Sequence, residues 1–180
     1  MQLIRSFPAV IPPERNYVID DARRIYNHDH DYRELIELHD DVIHIDWDTA
    51  VSREALESFA KQARSDPERV LVAPVLVYPS PKRTGLSTPV WNVRRYLPGD
   101  AAMRYCTPED AAAHLFGFGM VYLPASLLWA FGQVLGTPVA PRFGDMEFAA
   151  WHYRHVRAEA PIAWDCTPVH VHYRISEVIL

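Results

Sequence analysis

A single α/β domain spanning residues 1–180, with a mostly parallel sheet flanked by helices, is the fold this sequence predicts, and three observations carry it. An apolar run from Val42 to Ile45 is followed by a helical stretch of about a dozen residues and a second apolar run from Val70 to Val77. Strand, helix and strand at this spacing form a βαβ unit, whose usual outcome is a parallel pair joined by a right-handed crossover. A length of 180 residues suits one well-buried core and falls short of two. A content of 49% hydrophobic, 12% aromatic and 23% charged residues supplies enough core material for an ordered globule.

The first strand is read at Leu3 to Val10, followed by the turn-rich Ile11-Pro12-Pro13-Glu14-Arg15-Asn16 and a helical stretch from Asp20 to Tyr26. Asn27-His28-Asp29-His30-Asp31 has the composition of a solvated loop and is given no role. Val42 to Ile45 ends in Asp46-Trp47-Asp48-Thr49, so a strand delivers two acids to its carboxyl end. Ser52 caps a helix from Arg53 to Arg64, with Ala55, Leu56, Phe59, Ala60 and Ala63 on one face, which Asp66-Pro67 stops. Val70 to Val77 is a buried strand, Pro79 to Pro89 an exposed loop, and Trp91 to Tyr96 a strand bordering the site. Thr107-Pro108-Glu109-Asp110 has the signature of a helix start, with the helix ending near Phe116. Gly117 to Tyr122 reads as a glycine turn into a strand, Pro124 to Leu135 as an apolar helix closed by Gly136, Asp145 to about Val156 as a last helix, and Val169 to Ile175 as a closing strand.

Composition also narrows the function. A net charge of −5, with nine histidines counted as neutral, disfavours sequence-specific nucleic-acid binding, which rests on neutralising phosphates. The longest apolar stretches, Leu115 to Leu123 and Leu127 to Val134, are short and carry glycines, so no membrane span is expected. Met-Gln-Leu-Ile-Arg-Ser-Phe-Pro lacks the charged-then-apolar pattern of a secretory signal, which makes a cytoplasmic location the default expectation. Cys106 and Cys166 are then expected as packed thiols.

Four features carry candidate chemistry, and each also has an ordinary explanation. Asp46 and Asp48, two apart at a strand end, can reach one hard cation with its diphosphate and a sugar hydroxyl, or be a solvated strand end. In Val169-His170-Val171-His172, the period of a strand puts His170 and His172 on one face, as a metal ligand or as a packed pair. In Phe143-Gly144-Asp145, a glycine turn presents Asp145 at a helix head, as a general base or as a cap. Gly117 and Gly119 allow backbone to approach a ligand closely, or a strand to pack against a helix.

In this order, the four features resemble the core of glycosyltransferases with a GT-A fold, in particular the family 2-like group. The resemblance spans Asp41 to Arg174, about three quarters of the chain. It implies an α/β nucleotide-diphospho-sugar transferase core in which Asp46, Asp48, Gly117 and Gly119 bind the donor. It also implies a UDP- or GDP-sugar as that donor, and Mn²⁺ or Mg²⁺ held by Asp48 with His170 or His172. Asp145 is implied as the base on an acceptor hydroxyl of unidentified class, giving inversion. Trp47, Trp91, Trp151 and Trp164 are candidate stacking surfaces.

The chain departs from the family pattern in two places. About forty-five residues precede Asp46, where a usual member has nearly twice as many, which leaves a shortened N-terminal half with Arg15 as the candidate for the nucleotide pocket. Gly144 stands where many members have a glutamate. Two rival readings are a non-catalytic binding or assembly module on the same scaffold and a His-x-His metal hydrolase. A shortened core also leaves homo-oligomer formation open.

Overall fold

Strand β1, Gln2–Pro8, runs through the interior of the main sheet, and Ile4, Arg5, Ser6 and Phe7 on it are all buried. The computed structural model describes residues 1–8, 22–27, 31–77, 89–99, 102–135 and 143–170. β2 is Arg23–Asn27, and α1, Glu34–Glu37, is a single helical turn. β3, Val42–Asp46, is followed at once by β4, Thr49–Ala50, and by the helix α2, Arg53–Ser65. Short strands β5 to β9 occupy Leu71–Val72, Leu76–Val77, Val90–Trp91, Val93–Tyr96 and Met103–Tyr105. β10, β11 and β12 are Ala112–Ala113, Leu115–Phe116 and Met120–Leu123. Helices α3, Ala125–Leu135, and α4, Asp145–Trp151, come next, the second continuing into a wider π turn over His152–Val156. β13, Ala160–Pro161, and β14, Val169–His170, are the last described strands.

The main sheet has the order β2-β1-β3-β12-β5. β1 pairs in parallel with β2 and β3, whereas β12 pairs antiparallel with both β3 and β5. The sheet is therefore mixed. The expected β3-α2-β5 crossover is present, but its two strands do not pair directly, because β12 lies between them.

The two-residue period of the strands sorts side chains into two layers. Ile43 and Ile45 of β3 and Met120 and Tyr122 of β12 pack with Phe59 and Ala63 of α2. Val42, Val121 and Leu123 belong to the opposite cluster, with Leu35, Leu128, Phe131 and Phe148 from α1, α3 and α4 and with Phe143 just before α4. No helix among the described residues is long and apolar enough to cross a membrane. Both cysteines are free and buried, and burial pushes the Cys106 thiol up to about 11.

Three expected elements differ. Of the helix expected over Asp20 to Tyr26, Asp20 and Asp21 lie outside the described residues, and the rest is met by β2, which the free edge of β1 recruits in register, Ile4 opposite Arg23 and Ser6 opposite Ile25. The helix expected from Thr107 to Phe116 does not form. There the Asp110 carboxylate accepts from Thr107 N at 2.8 Å and from both Arg104 Nη atoms at 2.6 and 2.7 Å, making a turn, and β11 then pairs with β8. The Arg104 guanidinium holds that carboxyl well below the usual carboxylate range. The run from Val70 to Val77 breaks into β5 and β6, with Pro74 between them.

Candidate active site

The carboxyl end of β3 carries a cluster of polar side chains. Asp46 ends the strand, with its backbone N donating to Gly119 O at 3.0 Å, and Trp47 and Asp48 form the turn into β4. Asp46 Oδ1 accepts from Tyr32 Oη at 3.2 Å and lies 3.3 Å from Ser6 Oγ. Its side chain is 24% exposed, enough to face a ligand while being held from behind.

Behind Asp46 stands His44, which is fully buried. Its Nδ1 faces Phe118 O at 2.9 Å, and a carbonyl only accepts, so Nδ1 carries the hydrogen. Burial lowers this imidazole to about 3, which leaves it neutral, so Nε2 accepts from Ser6 Oγ at 2.7 Å. The ring is thereby fixed in one tautomer.

Tyr32 brings the other half of the site into place. Its backbone N donates to Phe143 O at 2.8 Å, and Phe143 N donates to Asp31 Oδ1 at 3.3 Å, which ties this segment to the start of α4. The Tyr32 phenol is raised far above its ordinary value by burial first, and then by the charges of Asp46, Asp145 and Asp48. It therefore stays protonated as a donor to Asp46. Gly144 is the cap of α4 and Asp145 its first residue, with Asp145 Oδ1 accepting from Met146 N at 2.7 Å.

Gly117 sits at a close approach of side chains. A Cβ there would lie 3.2 Å from Asn92 Nδ2 and 3.3 Å from Asp145 Oδ2. A Cβ on Gly119 would lie 2.6 Å from Val75 Cγ2. Asn92 organises this corner: its Oδ1 accepts from Val75 N at 2.8 Å and its backbone O accepts from Gly117 N at 3.1 Å. The two glycines thus let β12 and the start of α4 close over Asn92.

The predicted residues separate into those brought together and those not. Asp46 is held by Tyr32, Gly117 and Gly119 lie against Asn92, Asp145 lies beside Gly117, and Asp48 is in the turn that follows Asp46. Along the backbone, His170 of β14 pairs with Thr49, the residue after Asp48. Arg15 and His172 lie outside the described residues. Among the described residues, no three His, Cys, Asp or Glu side chains are grouped so as to hold a metal ion.

Three of the candidate stacking tryptophans pack instead. Trp91 and Trp164 meet edge to face at 5.4 Å, Trp164 Nε1 donates to Asp110 O at 2.7 Å, and Trp151 packs on Phe131 and Phe148. Trp47 is half-buried in the turn between the two acids. Sequence reasoning missed Arg5, Ser6, Tyr32, His44 and Asn92. The signal for the first two was a polar Arg-Ser pair inside an otherwise apolar strand.

No protein family and no curated protein matches this chain. Among solved structures, it is similar to the crystal structure of A197 from STIV, with 13% sequence identity over 94% of this chain and 81% of that chain and a TM-score of 0.49.

Proposed function

We propose that this protein is a metal-dependent glycosyltransferase with a GT-A-like core, moving a sugar from a UDP- or GDP-sugar to an acceptor hydroxyl with inversion. The observation that supports it most is that Asp46 and Asp145, from distant parts of the chain, border one glycine corner, Asp46 N donating to Gly119 O and Asp145 Oδ2 lying beside Gly117, with Asp48 in the adjoining turn.

Carboxylate and imidazole are residue types that would suit Mn²⁺ or Mg²⁺. Asp48 sits in a turn, and the pairing of β14 with β4 sets His170 opposite the next residue, so the backbone brings a carboxylate and an imidazole residue close together. Asp48 with His170 or His172 would hold Mn²⁺ or Mg²⁺. The cation would supply neutralisation of charge on the departing nucleoside diphosphate. Asp46, oriented by Tyr32, would hold the donor ribose or sugar. Asp145 would take the proton from the acceptor hydroxyl as that oxygen attacks the anomeric carbon. The backbone at Gly117 and Gly119 would border the sugar, and Arg15 would serve the nucleotide.

The test is release of UDP or GDP from nucleotide-sugars in the presence of Mn²⁺, with and without simple acceptors. Asp145→Asn is expected to slow acceptor-dependent turnover by roughly 10²- to 10⁴-fold, the range of a general base, while leaving nucleotide affinity near that of the unaltered protein. Turnover unchanged in Asp145→Asn would remove Asp145 from the base role.

A further inference from the structure

Beneath the Asp46–Thr49 turn lies Arg5, only 1% exposed. Its Nη1 donates to Asp46 O and to Thr49 O, both at 2.8 Å. That nitrogen carries two hydrogens, and these carbonyls belong to the first and last residues of the turn Asp46-Trp47-Asp48-Thr49. One planar group therefore clasps both ends of the loop that presents Asp48. The register of β1 on β3, with Arg5 opposite Ile45 and Ser6 opposite Asp46, puts the guanidinium there through the sheet itself.

Burying a guanidinium is unfavourable, and buried charges are often replaced by apolar side chains with no loss of stability. Arg5 stands in a strand whose neighbours Ile4 and Phe7 are core residues, so an apolar residue would satisfy packing alone. What an apolar residue would not supply is two donors to the turn and a positive charge under its two acids. Lysine would not reproduce the rigid fork either.

We propose that Arg5 is a positioning residue of this site, holding the Asp46–Thr49 turn in its ligand-ready form so that Asp48 is presented before cation or nucleotide arrives. The functional half of this inference rests on the donor-site reading above, whereas the structural half can be read without any ligand.

The experiment compares the full chain with Arg5→Lys and with Tyr122→Phe, which removes a hydroxyl bonded to Pro67 O at 2.9 Å, outside the site residues, and controls for a general loss of stability. Each protein carries 5-fluorotryptophan, with the Trp47 fluorine resonance assigned through Trp47→Phe. Arg5→Lys is expected to broaden or split the ligand-free Trp47 resonance and to weaken Mn²⁺ and UDP–Mn²⁺ binding at least tenfold. Tyr122→Phe is expected to leave both within twofold of the unaltered protein. A Trp47 resonance unchanged in Arg5→Lys overturns the proposal whatever the affinities are. Absence of Mn²⁺ and nucleotide binding in the unaltered chain would instead count against the donor-site reading, with the Trp47 resonance still deciding the role of Arg5. Should Arg5→Lys not fold, Arg5→Gln carries the same readout.

Discussion

His44 and His152 are buried as neutral rings, which ties the stability of the molecule to pH. Burial lowers His44 to about 3 and His152 to about 4, against an ordinary value near 6.5. Between those values the unfolded chain binds protons that the folded chain does not. Their stabilising contribution is therefore complete above about pH 6.5 and is lost as pH falls toward the folded values. Each ring is expected to cost about 2 kcal/mol between pH 7 and pH 5. Urea midpoints across that range should fall steeply, and His152→Phe should flatten the slope, because it removes a titrating ring whose Nδ1 has no hydrogen-bond partner among the described residues. A slope unchanged in His152→Phe would show that this ring titrates in the folded state. Gly119→Ala tests packing at the same scale. A methyl 2.6 Å from Val75 Cγ2 meets a stiff, β-branched neighbour, so a loss of about 1–3 kcal/mol is expected, partly recovered in the double variant with Val75→Ala. The acids at these positions were legible because a strand end and a helix head leave their terminal side chains open to solvent. Their supports were not, since Tyr32, His44 and Asn92 matter only through partners distant in sequence.

Elements were legible where local pattern and tertiary demand agree. The helix α2 begins where its cap predicts, with Ser52 Oγ accepting from Ala55 N at 3.1 Å, and buries Phe59 and Ala63 against the sheet. Ser52→Ala is expected to cost about 1 kcal/mol, a fall of about 2–4 °C in the thermal midpoint, with site properties intact. A midpoint unchanged by Ser52→Ala would mean that packing alone starts this helix. Where local and tertiary demands conflict, tertiary pairing prevails. Thr107-Pro108-Glu109-Asp110 has every local mark of a helix start, yet Arg104 and the open edge of β8 turn the succeeding residues into strand. The stretch from Arg23 likewise yields to the free edge of β1. In both cases the strand edge that decides belongs to another element, which the segment's own pattern does not contain.

At the scale of the whole molecule, the α/β class could be read from one βαβ pattern, but the direction of β12 could not. An apolar strand buried on both faces reads the same whichever way it runs, and β12 enters antiparallel between β3 and β5. That insertion matters for the site, because it delivers Gly117 to Gly119 beside Asn92 and lets Gly119 O receive Asp46 N. The candidate site is thus assembled by three separate stretches meeting at one end of the sheet: the β3 turn, the glycine corner before β12 and the head of α4. The central proposal is that this end binds a nucleoside diphosphate through a cation on Asp48. The most direct measurement is calorimetric titration of UDP and of GDP into the purified protein with Mn²⁺ and then with EDTA, for the unaltered chain and Asp48→Ala. We expect one nucleotide to bind with Mn²⁺, and that binding to be lost both with EDTA and in Asp48→Ala. Absence of binding for both nucleotides under every condition, or binding indifferent to Mn²⁺ and to Asp48, would contradict the proposal.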